Sequence, residues 1–446
     1  MRKLISLLLV TSCASICWSL ERQPNADYHA RRQALASKAA NGIVLLFAPN
    51  EADGPNDLYG YRPDDNFFYL TGWSEPGAAL LITAATEAKD NLPAHPYSEI
   101  LFLPGRNYSQ ERWTGPKLGP ENSDAARITG FDKVEILDNL RTELVDLLTK
   151  PRTAVYTDIP AEGEISNSTV PLQWLKAANA FPIGTSFQDV RPSLSLLRTF
   201  KDADEIELIR TGTNASIAAQ LAAMRAMKPG INEREISALV QYEWGKRGCE
   251  RPAYAPIVGA GLNSTVLHYS DDSGPINAGD VIVIDAAGEY SLYASDITRT
   301  LPATGKFTPR QREIYDIVLG AQRAAIAAFV SGKSHLQRKQ SDTLYQVAFD
   351  YINSHGKDLH GEPLGKYFIH GLGHYVGLNV HDPGDYSVPL GPGAVFTIEP
   401  GIYIPEEKIG VRIEDIFYVD QSGKLINFTE ALPHTAEDVE RTMAGK

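Results

Sequence analysis

The chain holds only three cysteines in 446 residues, Cys13, Cys17 and Cys249. Two of them fall within the first twenty positions, so once that segment is removed Cys249 stands alone and no intramolecular disulfide holds the fold. Clustered basic charge is also lacking. Lys and Arg number 42 against 55 Asp and Glu, a formal net charge of −13, without the basic face that phosphate contacts require. No nucleic-acid partner is expected. Beyond the N-terminus no run of about 18 apolar residues occurs, so nothing else is expected to span a membrane. What is present is ample material for an apolar core: 43% hydrophobic and 22% charged residues, in a chain too long for one ordinary compact domain.

The start, "MRKLISLLLVTSCASICWSL", has a basic pair (Arg2, Lys3), an apolar stretch from Leu4 to Val10, and small or polar residues before Glu21. This is the layout of an export signal over residues 1–20, which implies a periplasmic or secreted protein. "VTSC" before Ala14 also resembles a bacterial lipobox, the alternative in which Cys13 becomes a lipidated first residue.

From 21 to 190 short apolar runs read as strands ("GIVLLF", "FFYLTG", "AALLIT", "EILFLP"), and "LRTELVDLL" reads as a helix, with loops rich in Pro, Gly, Asn and Asp between them. An α/β layer domain follows from that pattern. Around "VRPSLSLLRTFKDADE" the period becomes helical and runs from Ala203 to Met227, so a second domain is expected over 198–446. Within it "AMKPGINEREISALVQYEW" and "FVSGKSHLQRKQSDTLYQVAFDYI" share one layout, as an internal duplication would give.

Three apolar runs in the second half end at or enclose acids. "VIVI" leads to Asp285, with Asp296 eleven residues on; "GAVFTI" leads to Glu399; "GVRIED" sets Glu414 two residues after Arg412. A carboxylate beside a buried strand is costly unless it is paired or metal-bound. Each could be an exposed strand end or a salt-bridge partner, as Glu414 could be for Arg412. If the four converge, two divalent ions would neutralise them where bare repulsion would raise their pKa values. "FIHGLGHYVGLNVHD" adds His370, His374 and His381, three of the ten histidines in the chain. His370 and His374 have the i, i+4 offset of helical zinc peptidases, but Gly371 occupies the place of their general base, and Gly373 and Gly377 oppose a regular helix. A turn or strand edge where backbone approaches a ligand fits better.

These motifs resemble the Xaa-Pro aminopeptidases (aminopeptidase P) of the pita-bread metallopeptidase superfamily, which also holds creatinase, prolidases and methionine aminopeptidases. "GYRPDDNFFYLTGWSEPGAALLI" and "ERWTGPKLGPENS" are similar to the accessory domain. "LHYS", "VIVIDAAGEYSLYASDITRT", "HGLGHYVGLNVHD", "FTIEPGIYI" and "GVRIED" are similar to the catalytic motifs, in order. The resemblance implies an α/β (α+β) chain, with a creatinase-like accessory α/β domain at 21–190 followed by a pita-bread catalytic domain at 198–446. It makes Asp285, Asp296, His374, Glu399 and Glu414 the ligands of two divalent metal ions, with Asp296 and Glu414 bridging. Manganese is the first expectation from one nitrogen and otherwise oxygen donors, with cobalt and zinc as substitutes. The implied activity is hydrolysis of the N-terminal Xaa-Pro bond of peptides with proline second, by hydroxide activated between the two ions. Glu399 would also act as general base. His268 and His381 would stabilise the oxyanion, His370 would line the proline side, and Tyr254 and Arg412 would support Asp285. The alternatives are a prolidase acting on Xaa-Pro dipeptides and, more remotely, an inactive peptide-binding protein on the same fold; a homodimer or homotetramer is a further family expectation.

Overall fold

The structure is a computed structural model that describes residues 20–39, 42–50, 59–88, 94–149, 154–159, 174–175, 181, 184–338 and 343–445. All but the last residue of the expected export signal, and Cys13 and Cys17 with it, lie outside the described residues. No helix among them is long and apolar enough to cross a membrane.

The N-terminal half is built on a six-stranded sheet. Its strand Ile43–Phe47 pairs antiparallel with Ala79–Thr83 and parallel with Ala154–Thr157. Strand alternation sends its residues to two separate cores. Ile43 and Leu45 pack with Leu81, Val155 and the helix Leu140–Leu148, whereas Val44 and Leu46 pack with Leu80, Ile82, Phe67 and Phe68. Both faces are therefore covered. "FFYLTG", expected as a strand, is instead part of the helix Asp65–Thr71. The Asp64 carboxylate accepts from the Phe67 N–H, and Gly72 closes the other end with φ 60°. A short apolar run without alternation fits a buried helix as well as a strand, and these caps decide it.

The C-terminal half repeats one motif. Helices Ala203–Ala226 and Glu233–Gly245 back the antiparallel strands Ile257–Ala260, Val281–Asp285 and Thr298–Pro302. Helices Pro309–Ala328 and Leu344–Ser354 back Val395–Ile398, Asp415–Val419 and the hairpin Gly401–Ile404 with Ile409–Arg412. One buried glutamine serves the same purpose in each half. The Gln220 Nε2 donates to the carbonyls of Ile284, Ala286 and Ile297, beside Asp285 and Asp296. The Gln322 Nε2 donates to the carbonyls of Ile398 and Ile413, beside Glu399 and Glu414. That correspondence supports the internal duplication.

Partly buried ion pairs and a shared core join the N-terminal sheet to this body. Arg31 meets Asp202 at 2.5 Å, and Arg62 meets Glu289 at 3.1 Å. Phe67, Tyr69, Tyr293, Val376 and Ile416 belong to one apolar cluster drawn from both parts. Arg198 binds the Asn66 side chain at 2.7 Å and Asp382 at 2.5 Å, so the N-terminal domain reaches the residue after His381.

Candidate metal centre and active site

The three carboxylate-bearing segments meet because of how their strands pair. Thr298 stands opposite Asp285 in the antiparallel register, and the Glu414 N–H donates to the Thr298 carbonyl at 3.1 Å, which lays the second half across the first. Glu414 itself lies in no single strand: Ile409–Arg412 ends before it and Asp415–Val419 begins after it in a different sheet. The continuous strand expected there is thus two strands, and the break turns Glu414 inward. Its Oε2 accepts from the Thr298 hydroxyl at 2.7 Å.

A cavity of about 420 Å³ is lined by every residue singled out from the sequence except Tyr254. Tyr254 is half-buried beside these acids, its hydroxyl 2.6 Å from Asp285 Oδ1 and 2.7 Å from Asp296 Oδ1. The His374 Nδ1 faces the Tyr375 carbonyl at 3.1 Å, so an N–H there leaves the Nε2 lone pair directed at the acids. From Nε2, Asp296 lies at 3.3 Å, Glu399 at 3.6 Å and Glu414 at 4.0 Å. Asp296, His374 and Glu414 each place a ligand atom within 4.8 Å of the others. Arg412 pairs with Asp285 at 2.6 Å, not with Glu414.

The electrostatics are those of an under-compensated acidic cluster. Burial first, then the neighbouring carboxylates, hold Glu414 well above the ordinary carboxylate range. Glu399 is pushed up to about 7, by burial first, against the pull of His374. Asp296 is raised as well, by burial and then by Asp285, although His374 opposes the shift. Burial works against charge on His374, but its bond to Asp296 and the nearby Glu399 outweigh that and lift it to about 9. One arginine and one imidazole face four acids. Divalent cations would complete the compensation, and one nitrogen among carboxylate oxygens suits hard ions.

Of the other histidines, only His370 touches these acids, its Nδ1 3.8 Å from Glu399. His381 packs edgewise on His374, with ring centroids 4.2 Å apart, and burial with the nearby His374 and His268 lowers it to about 4. His370 is lowered to about 3, by burial and then by Arg412, and its Nε2 lies 2.9 Å from the Tyr403 hydroxyl. Gly371 and Gly373, between the histidines, both line the cavity. A Cβ on Gly373 would come 2.0 Å from the Thr397 carbonyl, so only glycine lets this segment lie against the strand that leads to Glu399. A Cβ on Gly371 would meet nothing within 4 Å.

Sequence reasoning missed Thr298, Thr397, Tyr403, Tyr386 and Leu267. The first three carry a usable signal, because each is two or four residues from a recognised acid along an extended segment and so shares its face. Thr397 accepts from the His374 N–H at 3.1 Å and lies 3.4 Å from Glu399, while Tyr403 accepts from Arg412 at 2.8 Å. Tyr386 and Leu267, which line the cavity, have no such pattern.

A duplicated half, a cavity at its centre and this donor set define a metal-dependent hydrolase of the pita-bread class. The model for metallopeptidase family M24 matches residues 207–421, and that for the aminopeptidase P N-terminal domain matches 28–156. The chain is 33% identical to an Xaa-Pro aminopeptidase of Haemophilus influenzae, over 95% of this chain and 98% of that one. It is similar to proline aminopeptidase P II from Yersinia pestis, at 32% identity and TM-score 0.81, over 95% of this chain and 100% of the other. It is similar also to E. coli aminopeptidase P with the inhibitor Pro-Leu, at 30% identity and TM-score 0.80, over 95% of this chain and 99% of the other. The chain belongs to the aminopeptidase P group of metallopeptidase family M24.

Proposed function

We propose that the protein removes the N-terminal residue from peptides whose second residue is proline. The observation that carries this reading is the convergence of Asp285, Asp296, His374, Glu399 and Glu414 in one cavity that His268, His370 and His381 also line. Relatives named Xaa-Pro aminopeptidase, matched over nearly the whole chain, favour it over a prolidase. The complete ligand set speaks against an inactive binding protein.

Those five side chains would hold two divalent ions, manganese first on the hardness of the donors. When bound, the ions supply a Lewis acid for the scissile carbonyl and acidify the attacking water. The chain's own groups do the rest. Glu399, lining the cavity among the acids that would hold the ions, is suited to take a proton from water and pass it to the proline nitrogen as the C–N bond breaks. His268 and His381 line the cavity, where a ring N–H from each would stabilise the tetrahedral oxyanion. His370, neutral and bonded to Tyr403, offers an uncharged wall to the proline ring. Arg412 and Tyr254 hold Asp285 in place. The first twenty residues support export to the periplasm or beyond, and family likeness supports a homodimer or homotetramer.

The test is to offer manganese-loaded protein Xaa-Pro dipeptides and Xaa-Pro-Yaa tripeptides, with Asp285→Asn as the control. Cleavage of the dipeptide alone would make it a prolidase, and no metal-dependent cleavage of either would make it a binding protein. Within the histidine stretch, His374→Ala is expected to lose metal affinity by calorimetry, whereas His370→Ala and His381→Ala keep metal and lose turnover.

A further inference from the structure

His268 enters the cavity from an exposed stretch between the strands Ile257–Ala260 and Val281–Asp285, where Leu262 and Val266 face solvent at 52% and 51% exposure. A donor meant to meet an oxyanion cannot ride on a loose segment, because displacement by about 1 Å is enough to cost orders of magnitude in rate. One buried side chain makes four bonds to this stretch. Glu233, the first residue of the helix Glu233–Gly245, is fully buried at 0% exposure. Its Oε1 accepts from the Ala260 N–H at 2.8 Å and from the Asn263 amide at 2.9 Å. Its Oε2 accepts from the Tyr269 hydroxyl at 2.9 Å and from the Gly274 N–H at 2.5 Å. All four donors belong to residues 260–274, and Tyr269 is the immediate neighbour of His268.

The arrangement differs from an ordinary buried ion pair. Among the described residues no cation pairs with Glu233; its charge is held by four neutral donors and by the positive end of its own helix. The neighbouring residues reinforce the tie. The Glu233 N–H donates to the Gly274 carbonyl at 3.0 Å, Asn232 donates to the Ser273 carbonyl at 2.9 Å and Arg234 to that of Asp271 at 3.0 Å. Gly274 has no space for a side chain, since a Cβ would lie 2.9 Å from both Glu233 Oε2 and Asn263 Nδ2. A buried carboxylate is expensive to keep, and here every bond that offsets its cost goes to the segment that carries His268.

We propose that Glu233 is a positioning residue for His268, fixing residues 260–274 so that the imidazole meets the substrate within the cavity. This rests on the reading of His268 as a substrate-facing donor. Glu233→Gln keeps the shape but turns an N–H₂ toward donors that need an acceptor. In manganese-loaded protein acting on Ala-Pro-Ala it is expected to lower kcat about 10- to 100-fold, as loss of a group that orients an active-site ligand does, with bound manganese unchanged. The deciding measurement is a double-mutant cycle. In a His268→Ala background the same substitution should change kcat by less than about twofold, because nothing is left to position. An undiminished loss in that background, or wild-type kcat in Glu233→Gln, would overturn the inference. Tyr269→Phe removes only the donor beside His268, so it carries the same cycle if Glu233→Gln does not fold. If His268→Ala turns over like the wild type, the inference falls while the metallopeptidase reading stands; a wild type without manganese-dependent cleavage sinks that reading, and the inference with it.

Discussion

Two regions of this molecule bury acidic side chains, with opposite results. In the N-terminal sheet Glu99, 1% exposed, receives two bonds of 2.7 Å from the Arg32 guanidinium, with His29 and the Tyr97 hydroxyl on the remaining lone pairs. Burial pushes its pKa up, but those bonds outweigh the push and hold it below the ordinary value. In the catalytic cavity Glu414 and Glu399 are buried too, and both are raised. The difference is compensation. Glu99 is matched by the chain and belongs to the framework, whereas Glu399 and Glu414 line a cavity whose donor set suits a cation.

The same contrast occurs across a single peptide bond. Asp415, next to Glu414, meets Arg299 at 2.6 Å and His434 at 3.2 Å and accepts from Gln322 at 2.8 Å. Burial opposes its charge, yet Arg299 and His434 hold it well below the usual range. Successive residues of an extended chain point to opposite sides, so Glu414 faces the cavity and Asp415 the scaffold.

The largest expected effect comes from removing a raised acid. Glu399→Gln should cut turnover about 10²- to 10⁴-fold, measured as kcat on an Xaa-Pro-Yaa peptide, while the melting temperature of the metal-free protein does not fall. The mirror experiment takes the partner from a matched acid. Arg32→Met strands Glu99 and should cost about 3–5 kcal/mol by urea unfolding, with the cavity chemistry intact in the folded fraction. If both substitutions destabilise alike, the distinction between the two regions is lost. A smaller effect is expected from Gln322→Leu. It withdraws the donor shared by the Ile398 and Ile413 carbonyls and Asp415, should cost about 1–3 kcal/mol, and should weaken metal binding as read by calorimetry. The smallest is a pH effect. Because the folded pKa of Glu99 lies below its ordinary 4.5, its contribution is complete above that value and is lost as the pH falls through the folded pKa. Glu99→Gln should therefore flatten the stability profile below about pH 4.5, as read by urea unfolding across the acidic range.

Much of the site was legible because its acids interrupt apolar runs. "VIVID" and "FTIEP" place charge where a strand is buried, and that anomaly marks Asp285 and Glu399 before any contact is known. "FFYLTG" was not legible, since periodicity cannot separate a short buried helix from a buried strand. Nor was the purpose of Gly373, which depends on a carbonyl from a strand some two dozen residues away. Glu233 offered still less: an acid at a helix start looks like an ordinary response to the helix dipole, and only the folded chain brings four donors to it.

The sequence by itself determined the helical period that begins at Ala203, the apolar runs that end at Asp285 and Glu399, and the residue types able to bind a hard cation. These follow from local spacing and composition, which a linear chain carries. Only the tertiary structure decided which acids are matched and which are left short, because that depends on partners more than a hundred residues distant. Arg412 reaches Asp285 and leaves Glu414 without an arginine partner; Arg299 reaches Asp415. Charge compensation in a low-dielectric interior is a property of three-dimensional neighbours, and it turns similar acids into framework or into a metal centre.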